Sequence, residues 1–226
     1  MATPRNLTSP GDTPLALVHA DDSLLVFNKP AGLLSVPGRG DDKQDCLSAR
    51  VQAHYPEALV VHRLDMATSG LMLMARSAAM QRALSALFAT RQMHKCYAAV
   101  VDGNMTPPHT ADGWGLIDLP IAVDWPRRPL RIIDSVNGKP SQTRWRTLSF
   151  DDTSQSTRVE LEPLTGRSHQ LRVHLQALGH AILGDSLYAT PAAQAKSPRL
   201  LLHACALKFV HPATGEPLAF QSIPDF

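Results

Sequence analysis

The order of strand-like and helix-like segments constrains the fold of this 226-residue chain more than any other feature. Segments with strand character outnumber the helical ones and do not alternate with them regularly. The predicted strands cover residues 23–27, 70–75, 97–101, 143–150, 157–161, 200–210 and 218–223. This order favours an α+β fold with a mixed, mainly antiparallel sheet and flanking helices over a doubly wound α/β fold.

Two segments have the spacing of amphipathic helices. Ser77 can cap a helix whose apolar residues recur at helical intervals: Met80, Leu84, Leu87 and Phe88. A second helix follows Thr165 and Gly166, places Leu171, Leu175 and Leu178 on one face, and ends at Gly179.

The remaining segments predict the domain organisation. Residues 1–15 are rich in Pro, Thr, Ser and Gly and lack periodicity, which predicts a flexible N-terminal tail. Residues 103–120 carry several Pro and Gly residues and are predicted to be a surface excursion. The rest, residues 16–226, is expected to form one domain, because 44% of the residues are apolar and the length suits one sizeable core.

Composition narrows the cellular setting and the partners. No apolar run approaches the roughly 18 residues of a spanning helix, and the first twenty residues do not resemble a signal peptide, so a cytoplasmic protein without a membrane partner is expected. The cysteines, Cys46, Cys96 and Cys205, form no C-x-x-C pair, which indicates neither a disulfide framework nor a zinc site. A net charge of +2 does not by itself identify a nucleic-acid binder.

Cationic clusters are more informative than the net charge. Arginines group at 127, 128 and 131 and again at 144 and 146, with Trp125 and Trp145 nearby. Clustered cations beside aromatic rings suit a phosphate backbone and its bases, although each cluster alone is also typical of a solvated face.

Residues 61–70 form a first polar island between two apolar runs. This segment (VHRLDMATSG) places Asp65 where a loop leaves the core, a position that often holds a functional site. Two interpretations remain open from these residues alone. Asp65 is either a chemically active carboxylate or the cap of a turn formed with Thr68 and Ser69.

Residues 165–170 (TGRSHQ) form a second polar island at the predicted start of a helix. Backbone N–H groups and Arg167 both favour an anion there. Arg167 could therefore pair with Asp65 through a bidentate contact that keeps the carboxylate ionised.

Other chemistries fit the sequence poorly. Asp65 lacks the second equivalent carboxylate loop of an aspartic protease, and Ser168, His169 and Asp185 have no G-x-S-x-G elbow. His169 and His174 are five positions apart rather than four, and no metal-ligand motif is present, so no metal site is predicted. Phosphate-binding and dinucleotide-binding glycine motifs are also missing from the sequence.

These residues together resemble the RluA family of pseudouridine synthases. Residues 62–70 resemble the family signature, residues 28–32 (NKPAG) its N-terminal motif, 95–97 (KCY) the segment with its active-site tyrosine, and 164–174 its C-terminal motif. Residues 32–38, 118–120, 124–126 and 199–203 resemble the subgroup that modifies both ribosomal and transfer RNA. Ala181 and Ala189 depart from residues that are common in the family, Pro and Gly respectively.

The resemblance implies a function and a set of site residues. The fold would be the pseudouridine synthase fold with a central active-site cleft. The enzyme, an isomerase, would convert uridine to pseudouridine in stem-loops of 23S ribosomal RNA and in the transfer RNA anticodon loop. Asp65 would act as a base or as a nucleophile, with the alternatives left open. The other expected residues are Tyr97 and Arg167 in catalysis, and Arg63, Leu171, His62 and Lys29 in substrate binding.

The resemblance also has implications for cofactors, additional domains and binding partners. The isomerisation involves no redox change and no external group transfer, so no cofactor is expected. Fewer than thirty residues precede the first predicted strand, which leaves no room for the S4 RNA-binding domain of many relatives. The catalytic domain, expected as a monomer, would grip RNA itself and would not act on DNA. The alternative function is a catalytically silent RNA-binding module of the same fold.

Overall fold

The computed structural model describes residues 5–7 and 15–226. Its longer helices are α2 (Ala78–Ala89) and α3 (Gln170–Ala177), and shorter ones are α1 (Leu47–Gln52) and α4 (Pro191–Ala195). The strands are β1 (Arg5–Leu7), β2 (Leu15–Ala20), β3 (Leu24–Lys29), β4 (Leu59–Val60), β5 (Ser69–Ala75), β6 (His94–Asp102), β7 (Gly115–Asp118), β8 (Ile121–Val123), β9 (Arg131–Ile133), β10 (Gln142–Asp151), β11 (Ser156–Pro163), β12 (Leu202–Val210) and β13 (Pro217–Gln221).

The described chain divides into two compact units. Among the described residues, unit 1 contains 5–7, 15–95 and 204–225, and unit 2 contains 96–203 and Phe226. The chain passes between them within β6 and within β12. The single catalytic domain predicted for 16–226 stays a prediction, because grouping by contacts does not test independent folding.

In unit 1, strands β1, β2, β3, β5, β12 and β13 follow one another across a sheet, and β4 pairs with β5. One face carries a core cluster in which Leu25, Phe27 and Met72 pack with Leu47 and Val51 of α1. The opposite face has a second cluster, which includes residues of α2 and β12. Helices therefore cover both faces, which is why every residue of β5 is buried.

Local signals of the sequence explain the β5–α2 segment. Ser77 adopts an extended backbone, and its Oγ accepts a hydrogen bond from the Met80 N–H, as expected of a helix cap. Gly70 has a φ of +112°, and a Cβ there would lie 2.4 Å from the carbonyl oxygen of Ala204. Only glycine fits where β5 passes so close to the backbone of β12.

In unit 2, the strand order is β6, β11, β10, β7, and each pairing among them is antiparallel. A separate hairpin consists of β8 and β9. Helix α3 contacts β9 and β11, so it lies against both the sheet and the hairpin. Gly179 ends α3 with a φ of +84°, and His180 N–H donates to the Leu175 carbonyl, as expected of a glycine C-terminal cap.

The flexible tail predicted for residues 1–15 stays a prediction, and the structure describes only residues 5–7 and Leu15 of it. Residues 5–7 form β1, which pairs antiparallel with β2, and Leu15 is a buried residue of β2. A three-residue edge strand is held by pairing with another segment, which leaves no periodic signal of its own. Residues 1–4 and 8–14 of the predicted tail lie outside the described residues.

The α+β class with a mainly antiparallel sheet is confirmed, and each predicted strand is present with shifted ends. The surface excursion predicted for 103–120 contains β7, so that prediction is wrong for residues 115–118. The β8–β9 hairpin and helix α1 were not predicted. Within the described residues, no helix is long and apolar enough to cross a membrane.

Candidate active site

Asp65 lies in a loop of unit 1 whose backbone is held on both sides. Leu64 N–H donates to Ser35 Oγ over 3.0 Å, and that hydroxyl donates back to the Leu64 carbonyl over 2.7 Å. The Met66 carbonyl accepts a hydrogen bond from the Gly32 N–H at 2.9 Å. Since both neighbours of Asp65 are bound to residues 32–35, the loop presents the carboxylate from a defined backbone position.

Lys29 also holds the backbone of the Asp65 loop in place. Its side chain is fully buried, and its Nζ donates to the carbonyls of Pro30 at 2.9 Å, Leu33 at 2.7 Å and Met66 at 3.1 Å. Burial lowers the pKa of Lys29 to about 8, and the negative charge of Asp65 opposes that lowering. An ammonium has three donors, so these three carbonyls occupy all of them.

His62 is bound to the core of unit 1. Its Nε2 accepts a hydrogen bond from the Leu73 N–H at 2.9 Å, and its ring stacks on Phe88 with centroids 4.7 Å apart. Burial lowers the pKa of His62 to about 3, and the positive charge of Lys95 adds to this effect. His62 is therefore a neutral imidazole that fixes the start of the Asp65 loop against β5.

The turn after Asp65 is closed by the backbone. Thr68 N–H donates to the carbonyl oxygen of Asp65 at 3.1 Å. Asp is a favoured residue at the first position of such a turn, so both interpretations of Asp65, the active carboxylate and the turn cap, stay predictions. Asp65 is partly exposed and Arg63 is exposed, so both can be reached from solvent.

Tyr97 lies in β6 of unit 2, opposite Leu161 of β11. Its neighbour Cys96 projects to one face of the sheet, where its Sγ donates to Glu160 Oε1 at 3.1 Å. Because side chains alternate along a strand, Tyr97 projects to the opposite face. It is partly buried there.

Arg167 lies in an exposed loop of unit 2 that is organised by Gln170. The buried Gln170 accepts hydrogen bonds at Oε1 from the Arg167 N–H at 3.0 Å and from Thr165 Oγ1 at 2.8 Å. Its Nε2 donates to the Gln142 carbonyl at 2.9 Å and to Thr143 Oγ1 at 3.0 Å. This single amide therefore connects the Arg167 loop to β10.

The predicted anion site at the start of the second helix needs correction. The helix begins at Gln170, later than expected, and the residue before it, His169, has a left-handed φ of +58°. The Arg167 N–H is already bound to Gln170. One backbone amide of the loop is therefore occupied, and the exposed Arg167 guanidinium has its Nε and Nη2 3.4 Å from the Pro140 carbonyl.

Leu171, the remaining predicted residue, lies in the first turn of α3 and is 7% exposed. The predicted site residues thus fall into two groups, with Lys29, His62, Arg63 and Asp65 in unit 1 and Tyr97, Arg167 and Leu171 in unit 2. The predicted Arg167–Asp65 pair joins residues of different units and stays a prediction.

Comparison with protein families decides the identity of the chain. The family model described as RNA pseudouridylate synthase matches residues 23–177, more than half of the sequence and all seven predicted site residues. The chain belongs to the RNA pseudouridylate synthase family. The predicted family and the predicted enzyme class, a pseudouridine synthase, are confirmed.

Individual relatives of this pseudouridine synthase agree with the subgroup resemblance. It is 46% identical over 221 residues to the dual-specificity RNA pseudouridine synthase RluA of Escherichia coli K12, with 98% of each chain covered. The RluA of Yersinia pestis is 47% identical over 212 residues, which cover 94% of this chain and all of that protein. Human RNA Pseudouridylate Synthase Domain Containing 1 superimposes with a TM-score of 0.76 at 28% identity, covering 97% of this chain and 87% of that one.

Two supporting residues of this pseudouridine synthase were not predicted from sequence. Gln170 organises the Arg167 loop, and the Tyr188 hydroxyl accepts from the Arg131 N–H at 2.9 Å while lying 2.6 Å from His169 Nδ1. A glutamine at a helix start beside Thr165 was the available signal for Gln170. Tyr188 has no local signal, because its partners are 57 and 19 positions away.

Proposed function

We propose that this pseudouridine synthase modifies uridines in stem-loops of 23S ribosomal RNA and in the anticodon loop of transfer RNA. The observation that carries the proposal is the match along nearly the whole length to relatives described as dual-specificity enzymes. The defined backbone of the Asp65 loop supports it, because a catalytic carboxylate must be held in position.

In the proposed reaction, the bond between uracil N1 and ribose C1′ breaks, the base rotates, and C5 bonds to C1′. The proton on C5 is lost and N1 gains one, so atoms and charge balance without a cofactor. Asp65 starts the reaction either as a base that removes the C2′ proton or as a nucleophile at the sugar or the uracil. Both routes require an ionised carboxylate at the same place.

The other site residues have roles in this proposal that the family resemblance implies. Arg167 pairs with the carboxylate of Asp65. Tyr97 stacks on the uracil and assists the loss of the C5 proton. Arg63, exposed on the Asp65 loop, fills the gap left when the uridine flips out of the RNA, and Leu171 lines the uracil pocket.

We assign Lys29 and His62 to positioning instead of the substrate contacts first predicted for them. The Lys29 ammonium is buried and bound to three carbonyls, and the His62 Nε2 is bound to the Leu73 N–H. A contact from either group to RNA would break hydrogen bonds that hold the Asp65 loop.

We further propose that the enzyme acts in the cytoplasm as a monomer that grips RNA with its catalytic domain. Sedimentation at micromolar concentration tests the oligomeric state. A single species of about 24.6 kDa is expected, and a dimer would contradict the proposal.

Tritium release from RNA labelled at uridine C5 tests the function. Transfer RNA and large-subunit ribosomal RNA are each incubated with wild type and with Asp65→Ala. Release from both RNAs by wild type alone is expected. Release from only one RNA would contradict dual specificity, and equal release by Asp65→Ala would contradict the role of Asp65.

A further inference from the structure

The β8–β9 hairpin of unit 2 presents an aromatic ring that the proposed reaction does not use. Trp125 is 68% exposed, and the guanidinium carbon of Arg128 lies 3.5 Å from its ring centroid. An exposed tryptophan paired with an arginine offers a flat, cationic surface. Nucleobases stack well on such a surface.

The loop that carries Trp125 is held in shape by a buried carboxylate. Asp124 accepts hydrogen bonds from Arg127 Nε at 2.7 Å and from the Arg127 N–H at 3.3 Å. The Asp124 N–H donates to the Leu130 carbonyl at 3.1 Å, which closes the loop. Trp125 is therefore presented by an ordered loop, so little conformational entropy is lost when a ligand stacks on it.

Next to this ring is an open cavity of about 630 Å³ within unit 2. Its lining includes Trp125 and three cationic side chains, those of Arg131, Lys139 and Arg167. The one lining carboxylate, Asp134, already accepts hydrogen bonds from the N–H groups of Val136 and Asn137, both at 2.9 Å. The cavity is thus electropositive and suited to a phosphate.

The β8–β9 hairpin and the Arg167 loop are both hydrogen-bonded to the Tyr188 hydroxyl. The Tyr188 hydroxyl binds the Arg131 N–H of β9 and the His169 side chain two residues after Arg167. Trp125 and Arg167 also line the same cavity. A nucleotide bound there would lie beside the arginine assigned to the reaction.

We propose that this cavity binds one unpaired ribonucleotide that flanks the target uridine. Its base stacks on Trp125, and its phosphate contacts Arg131 and Lys139. The proposal rests on the proposed RNA-modifying function and adds a second point of contact. Stacking tolerates any base, so the subsite selects an unpaired, accessible nucleotide rather than a particular sequence.

Abasic substitution in the RNA, combined with variants of the protein, tests this subsite. The probe is an anticodon stem-loop RNA in which each loop nucleotide other than the target is replaced in turn by an abasic ribose. Binding is measured in an Asp65→Asn background, with and without Trp125→Ala. The matched control is Trp114→Ala, because Trp114 also lies under two arginines, Arg144 and Arg146, but outside the cavity.

Trp125→Ala is expected to raise the Kd of the intact stem-loop about tenfold, within the range of base–aromatic stacking. Trp114→Ala is expected to leave it within about twofold. At one position next to the target, the abasic change should weaken binding to the Asp65→Asn protein about tenfold. The same change should hardly affect binding to the protein that also carries Trp125→Ala.

Equal effects of every abasic change in the parent and in Trp125→Ala would overturn the subsite, as would an unchanged Kd for Trp125→Ala. Turnover of the same stem-loop by wild type is measured in parallel. If Trp125→Ala leaves the Kd unchanged while wild type still converts the stem-loop, only the subsite is overturned. If wild type converts none of the tested RNAs, the proposed function is overturned.

Discussion

At the scale of single residues, the hydrogen bonds around Asp65 indicate how the carboxylate is kept in place. Leu64 and Met66 are bound to the segment that follows β3, and Lys29 binds that segment and the Asp65 loop at once. Small displacements of a reacting group lower rates strongly, so residues that never touch RNA should affect turnover.

Lys29→Met removes the ammonium and leaves three carbonyls without their donor. We expect kcat to fall by about 10- to 100-fold, the effect of a misplaced catalytic group, while the Kd for RNA stays within about threefold. Exposed Lys43→Met is the control and should match wild type. A raised Kd with unchanged kcat would instead show that Lys29 contacts RNA directly.

The same lysine predicts a pH dependence. Its folded-state pKa of about 8 means that half of the Lys29 side chains have lost the third donor at that pH. We expect kcat at saturating RNA to decline as pH rises through about 8, and this decline to be missing from the residual activity of Lys29→Met. An identical alkaline limb in both proteins would contradict the assignment.

His62 predicts how stability depends on pH. Its folded-state pKa of about 3 lies below the ordinary value, so the unfolded chain binds more protons between these two values. Its contribution is therefore complete above about pH 6.5 and is lost as pH falls toward 3.

Urea unfolding at pH 7 and at pH 5 measures this contribution. Wild type should lose about 2 kcal/mol more than His62→Gln between these pH values, which follows from proton linkage for one group. Exposed His54→Gln serves as the control and should lose as much as wild type. Equal losses in wild type and His62→Gln would contradict the prediction.

At the scale of elements, Gly70 is the last residue of the family signature and lies in β5, where the strand packs closely against Ala204. A Cβ at this position would lie 2.4 Å from Ala204 O and 2.5 Å from Ala204 N, and the φ of +112° disfavours any other residue. Gly70→Ala should lower the free energy of unfolding by roughly 3 kcal/mol or more, the sum of overpacking and backbone strain.

Gly215→Ala is the matched control for this prediction. Gly215 has a φ of +74° with no atom within 4 Å of the position that an added methyl group would take, so only backbone strain of about 1 kcal/mol applies. Denaturant unfolding of both variants separates the two contributions. Equal destabilisation would contradict the close approach of β5 to Ala204.

Elements with strong local patterns could be predicted from the sequence, and elements held by distant partners could not. The run 70–75 and the cap at Ser77 predicted β5 and α2 because both signals are local. The hairpin strands β8 and β9 have three residues each, too few for a periodic pattern, and Pro126 and Pro129 made their connection look irregular.

The same limit applies to the site. The sequence singled out Asp65 and Arg167 because charged residues stood among small polar ones between apolar runs. It could not separate a lysine that contacts RNA from a buried one, because Lys29 binds Met66, 37 positions away. The positioning role of Lys29 therefore required the tertiary structure.

At the scale of the whole molecule, the net charge of +2 is small, so electrostatic affinity for RNA must come from local groups of cations. Arg131 and Lys139 line the cavity of the proposed subsite, whereas Arg144 and Arg146 are bound to the carboxylates of Glu162 and Glu160. Cations already paired with carboxylates release fewer counterions when RNA binds.

Changing Arg131 and Lys139 together to Gln should reduce the slope of log Kd against log salt by about 1 to 2, as expected for two lost phosphate contacts. The matched control, Arg144 and Arg146 both changed to Gln, should leave the slope near that of wild type. Fluorescence anisotropy with labelled stem-loop RNA at several salt concentrations measures both. The reverse ranking would place the RNA on the other cationic cluster.

The most direct test of the catalytic role of Asp65 is single-turnover conversion of stem-loop RNA by Asp65→Asn, with the Kd measured on the same preparation. We expect pseudouridine formation to be abolished while the Kd stays within a few fold of wild type, because the amide keeps the shape of the carboxylate but can act neither as base nor as nucleophile. Pseudouridine formation at the wild-type rate would contradict this role.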